Sequence, residues 1–138
     1  SEGYCAAKEW SCNISARLDI TKHQLIHEHL HARSVSYYDA QTYRLNKSLE
    51  ELAVEIFARE ISKKSDIDIV YSDAYEGVKY LYCINKLAKI AKTDYEFAKQ
   101  LFEVPVTKRA DWLDEQITNN IENIGDFERA MKALRKVK

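Results

Sequence analysis

The sequence predicts an α+β fold that is mostly helical, and three observations carry that prediction. Residues 12–20 alternate between apolar and polar side chains, whereas the later segments repeat their apolar residues at helical spacing. Glycine and proline are scarce, three and one in 138 residues, and an all-β chain with many tight turns needs more.

The elements follow in order. Cys12, Ile14, Ala16, Leu18 and Ile20 fall on one face, with Asn13, Ser15, Arg17 and Asp19 on the other. A period of two over this length predicts a short N-terminal strand, or the edge of a small sheet, with one side buried. A helix is expected at once: Thr21 is a suitable N-cap and Gln24 completes a capping box. Leu25, Ile26 and Leu30 give it apolar contact, and it should end near Ser34. Residues 35–47, with Tyr37, Tyr38 and Tyr43, read as an irregular connection. Ser48 should cap the next helix with Glu51 at the box position; Leu49, Leu52, Ile56 and Phe57 form its buried side, and it should run to about Ile61.

A polar stretch from Ser62 to Asp66 precedes the second half, whose pattern is helical throughout. Val78, Leu81, Ile84, Ala88 and Ala91 mark a long helix from near Ser72. Thr93 and Glu96 form a capping box before Phe97, Leu101 and Phe102, and Pro105 ends that helix. Another carries Trp112, Leu113 and Ile117; Gly125 marks the last boundary, before Phe127, Ala130, Met131 and Leu134. The length suits one domain over residues 1–138, with 12–61 carrying the chemistry and 67–138 a helical support.

Composition narrows the classes of function. Hydrophobic residues make up 46% and charged ones 31%, as in globular rather than disordered chains. The 21 basic and 22 acidic side chains nearly balance, which argues against nucleic acid as partner. The basic end, with Lys132, Arg135, Lys136 and Lys138, reads as a solvated helix terminus. No apolar run is long enough to span a bilayer, and no signal peptide is read at the N-terminus, so no membrane partner is expected. Cys5, Cys12 and Cys83 make an odd set at irregular spacing, which fits idle thiols in a reducing, cytoplasmic setting better than a disulfide framework.

The sharpest feature is His27-Glu28-His29-Leu30-His31, an HExxH sequence inside the first helix. Histidines four apart are rotated by only about 40°, so both rings reach one ion, here expected to be a single Zn²⁺. Glu28, about 100° around, lies beside that ion, placed to take a proton from the attacking water and return it to a leaving amine. A catalytic zinc needs three protein ligands and an open position. Glu50, Glu51, Glu55 and Glu60 on the second helix are the acidic candidates; Glu51 and Glu55 share a face, with Glu50 to the side. His29 points about 160° away from His31 and reads as a surface residue. His23 extends the stripe, but three rings on successive turns span roughly 11 Å, too far to surround one ion.

With these residues the chain resembles a gluzincin, the thermolysin-like group of zinc peptidases in which HExxH on one helix is joined by a glutamate on a following helix. The resemblance implies that His27, His31 and Glu51 are the zinc ligands and that Glu28 is the general base. It also implies that Glu55, four positions after the ligand, supports a zinc histidine. The strand at residues 12–20 matches the edge strand before the active helix of zincins. The resemblance spans roughly residues 12–61, and the whole is similar to short HExxH…E domains of phages and mobile elements, which implies membership of a larger protein of that kind as an alternative to a free cytoplasmic one. The expected activity is hydrolysis of a peptide bond in a peptide or protein substrate.

The chain departs from the thermolysin-like pattern in having no histidine after His31 to hold the oxyanion. A tyrosine hydroxyl can take that place, with Tyr43, Tyr71 and Tyr75 as candidates. The missing histidine also leaves open a zincin-like protein-binding module without peptidase activity, metal-bound or metal-free. A plain helical interaction domain with an accidental HExxH is the third reading.

Overall fold

The computed structural model describes residues 20–34 and 39–138. Among these it contains seven α-helices: α1 (Lys22–Arg33), α2 (Ala40–Leu45), α3 (Lys47–Lys64), α4 (Val78–Ala88), α5 (Asp94–Glu103), α6 (Val106–Asn120) and α7 (Ile124–Val137). One 3₁₀ turn, Asp73–Tyr75, lies between α3 and α4. No strand or sheet occurs among the described residues, so the expected α+β fold is corrected to an all-helical one. The alternating segment Cys12–Ile20 was the only β signal, and apart from Ile20 it lies outside the described residues. Among the described residues the helices bury their faces against one another.

α1 begins as its sequence predicts. The Thr21 hydroxyl accepts from the Gln24 amide at 3.1 Å, and the Gln24 side chain accepts from the Thr21 amide at 3.1 Å. Its buried residues are His23, His27, Leu30 and His31, so this helix turns mostly imidazoles inward. α2 stands where an irregular connection was expected. Asp39 caps it by accepting from the Thr42 amide at 2.7 Å, and it buries Tyr43.

α3 starts one residue before the expected cap. Asn46 takes the N-cap position, while the Ser48 hydroxyl donates to the Val137 carbonyl at 2.9 Å, and Glu51 is drawn into the site described below. The helix continues past Ile61 to Lys64, and every residue from Leu49 to Ala58 is buried. A helix buried on all sides is a central one. Accordingly α1, α4 and α5 all pack on α3, while α7 lies against α4 and α6. One cluster of buried side chains runs from Leu30 through Ala53, Ile56, Leu81, Phe97 and Leu113 to Val137.

The second half differs from expectation at its boundaries. Ser72 caps the 3₁₀ turn, and α4 begins only at Val78. α4 ends at Ala88, because Lys89 takes a left-handed conformation (φ 49°); Ala91, expected inside the helix, instead donates its amide to the Asn85 side chain at 3.0 Å. Thr93 caps α5, and Pro105 separates α5 from α6. Asn123 rather than Gly125 begins α7. Gly77 lets the turn approach α3: a Cβ there would stand 2.7 Å from Leu52 Cδ1. No described helix is long and apolar enough to cross a membrane. The Cys83 thiol is free and half-buried, while Cys5 and Cys12 lie outside the described residues.

Candidate metal centre

α1 and α3 run antiparallel, so each turn forward on one helix meets a turn back on the other. His27 therefore faces Glu55 and Glu51, and His31 faces Glu51 and Glu50. The Nε2 atoms of His27 and His31 are 3.1 Å apart. Glu51 closes the triangle, with Oε1 3.3 Å from His27 Nε2 and Oε2 3.1 Å from His31 Nε2. Donors about 2.0–2.2 Å from a tetrahedral ion lie roughly 3.3–3.5 Å from one another. The two ring nitrogens are slightly closer than a zinc tetrahedron requires, and each meets a different oxygen of Glu51; one ligand atom from each of the three residues lies within 4.8 Å of the others.

The outer ring nitrogens explain how the donors are aimed. His27 Nδ1 lies 2.7 Å from Glu55 Oε1, and His31 Nδ1 lies 3.0 Å from Glu50 Oε2. An ionised carboxylate only accepts, so both Nδ1 atoms carry the proton and donate. In neutral rings both Nε2 atoms then present bare lone pairs to each other and to Glu51. Three acceptors at this spacing repel unless a proton or a cation stands among them. The donor set, two imidazole nitrogens and one carboxylate oxygen, is the chemistry that zinc selects.

Electrostatics agree with the geometry. Burial opposes charge on His31, but the hydrogen bonds to Glu50 and Glu51 outweigh it and push its pKa up to about 9. His27 is raised in the same way, against burial, by Glu51 and Glu55. Burial works against ionisation of the carboxylates as well. Glu51 is nevertheless held well below the usual range by His27 and His31, and Glu55 is lowered to about 2 by His23 and His27.

Each carboxylate has further partners. The Tyr43 hydroxyl donates to Glu51 Oε2. Arg59 Nε donates to Glu55 Oε2 at 2.7 Å, and His23 Nε2 lies 3.1 Å from the same oxygen. The Val70 amide donates to His23 Nδ1 at 3.1 Å, which leaves the proton of a neutral ring on Nε2, an atom close to Glu55 Oε2 but without a hydrogen bond to it. On the His31 side, Arg109 Nη1 and the Ser34 hydroxyl donate to Glu50 Oε1 at 2.6 and 3.1 Å. Arg109 is 0% exposed, and it also donates to the Ser34 hydroxyl and to the Leu101 and Phe102 carbonyls at the end of α5.

The structure brings His27, His31, Glu51 and Glu55 together. Glu28 is half-buried and borders, with His27, His23, Glu55 and Tyr75, a cavity of about 350 Å³. His29 is exposed, and His23 is no part of the donor triangle. Of the three tyrosines, Tyr43 is engaged by Glu51, and Tyr71 is 71% exposed, with Arg59 4.9 Å from its ring centre. Tyr75 stands with its ring 4.9 Å from that of His27.

Sequence reasoning missed Glu50, Ser34 and Arg109. Two signals were present. Antiparallel helices that pair position 27 with 55 must pair 31 with 50 or 51. Arg109 also interrupts an apolar stripe, since the buried residues of α6 are Val106, Arg109, Leu113 and Ile117. No family model, curated protein or solved structure matches the chain.

Proposed function

We propose that the chain is a zinc-dependent peptidase of the gluzincin kind, in which His27, His31 and Glu51 hold one Zn²⁺ and Glu28 is the general base. The observation that carries this reading is the donor set: two Nε2 atoms 3.1 Å apart, an oxygen of the Glu51 carboxylate within 3.3 Å of each, and both histidines aimed by carboxylates behind them. A bound zinc ion supplies a Lewis acid that makes water acidic near neutral pH and polarises a carbonyl. Everything else falls to the chain. Glu28 takes the proton of the attacking water in the cavity it shares with His27 and passes it to the leaving amine. Glu55 and Glu50 fix the tautomers of His27 and His31, keeping both Nε2 atoms unprotonated toward the ion. Tyr43 anchors the third ligand, so Tyr75, beside His27 on the same cavity, is the tyrosine assigned to the substrate carbonyl oxygen.

The test measures zinc content and cleavage of a peptide library, side by side. The native chain should bind one zinc and cut. Glu28→Gln should keep the zinc and lose about 10²–10⁴ in rate. Glu51→Ala should lose the zinc. A native chain that holds zinc yet cuts nothing refutes the peptidase and leaves a metal-braced binding module; one that takes up no zinc refutes the metal centre itself.

A further inference from the structure

A cavity of about 730 Å³ opens beside Glu51 and shares Tyr75 with the cavity that Glu28 borders. Leu52, Ala74, Tyr75 and Gly77 give it an apolar wall, and Lys47 and Lys136 stand at its rim. Its size falls within the range of about 300–1,000 Å³ that ligand pockets occupy. Both lysines are exposed. Among the described residues the lysine ion pairs are those of Lys63, Lys79 and Lys99, so the ammoniums of Lys47 and Lys136 hold no carboxylate. Glu51 also borders the cavity, but its oxygens are taken up by His27, His31 and Tyr43. The charge offered to a ligand here is therefore positive, over an apolar floor.

Ala74 and Tyr75 border both this cavity and the one that holds Glu28. A peptide crossing Tyr75 places one residue in each. We infer that the cavity beside Glu51 is the specificity subsite and that it selects a peptide residue bearing a carboxylate, either an acidic side chain or a free C-terminus. The inference rests on the peptidase reading, which places the peptide across the centre. The two lysines act at an exposed rim, so the preference is a few-fold and falls as salt screens it.

The test uses fluorescein-labelled alanine hexapeptides with Glu or Gln at the third position, each as free acid and as amide. Binding is read by fluorescence anisotropy on zinc-loaded Glu28→Gln, and cleavage on the native chain in parallel. The Glu amide or the Gln acid should bind about three- to tenfold tighter than the Gln amide, and whichever gains more identifies the source of the carboxylate. Lys47→Gln with Lys136→Gln should abolish that gain while leaving the zinc content unchanged. Equal binding of all four peptides, no binding of any, or a preference that survives the double substitution overturns the subsite. Preferential binding without cleavage keeps the subsite and refutes the peptidase; cleavage without preference does the reverse.

Discussion

Replacing Glu50 by Gln probes the centre through a residue outside the donor triangle. Its two oxygens face different ways: Oε1 accepts from Arg109 and Ser34, and Oε2 accepts from His31 Nδ1. Glutamine has one oxygen and one amine, so one side must meet a donor. The guanidinium is the stronger claimant, which turns the amine toward His31. The ring then does best with Nδ1 accepting and the proton on Nε2, the tautomer that cannot ligate. Loss of such a supporting carboxylate typically costs about 10–100-fold in metal affinity. Arg109 meanwhile keeps its charge at 0% exposure with no anion, beside a site where Glu50 itself was 2% exposed. Breaking a buried pair costs about 3–5 kcal/mol; with an amide oxygen still accepting, the lower figure applies, about 10 °C in Tm for a chain of this size. Competition titration with a zinc chelator reads the first effect and thermal circular dichroism the second. Arg109→Met is the control: it leaves Glu50 on His31, so it should lower Tm at least as much and zinc affinity less. If Glu50→Gln binds zinc within about twofold of the native chain, the tautomer argument is wrong.

Other outcomes follow from the same contacts. Tyr43→Phe removes the donor to Glu51 and should weaken zinc binding about tenfold while leaving helix content unchanged, as read by titration and circular dichroism. Zinc must displace the proton that His31 holds up to about pH 9, so calorimetry in buffers of different ionisation enthalpy should show proton release at pH 7, with affinity rising about tenfold per pH unit. For the metal-free chain the signs are opposite for the two kinds of group. The raised His31 contributes up to about 3 kcal/mol that is fully present below its unfolded value of 6.5 and lost as pH rises through about 9; the lowered Glu55 contributes stability present above its unfolded value of 4.5 and lost as pH falls through about 2. Denaturant titration should therefore find the metal-free chain most stable between those unfolded values, near pH 5–6. Chelation should speed hydrogen exchange in α1 far more than in α4 to α7, because Leu30 is the one apolar residue α1 buries.

The pairing of the histidines with the glutamates is legible because it depends on spacing along single helices. A separation of four positions from His27 to His31, and of four from Glu51 to Glu55, puts each pair on one face whatever the rest of the chain does. Boundaries were less legible where the tertiary fold competes for a capping side chain. Ser48 has the right neighbours for an N-cap, yet its hydroxyl goes to the end of α7, which no local pattern reveals. α2 was missed because six residues are too short for an apolar period, and its signal is the Asp39 cap alone. Glu50 was set aside because it lies off the Glu51–Glu55 face, a judgement made on one helix about a contact that belongs to two. The expected sheet failed for a different reason: one alternating segment had to stand for a whole layer, and the described residues bury their faces without one.

The burial of so many charges is itself an argument for the site. Glu50, Glu51 and Glu55 occupy the first half of the most buried helix, where apolar side chains would pack at no desolvation cost. Arg59 and Arg109 neutralise two of the three. One negative charge and two converging lone pairs are left over. A proton on His31 balances the charge and is shared with His27 Nε2 3.1 Å away. A divalent ion fills both lone pairs and leaves the cluster with a single positive charge. Apolar side chains at positions 27, 31, 51 and 55 would be buried without this compensation, as Leu30, Leu52 and Ile56 are in the adjoining core.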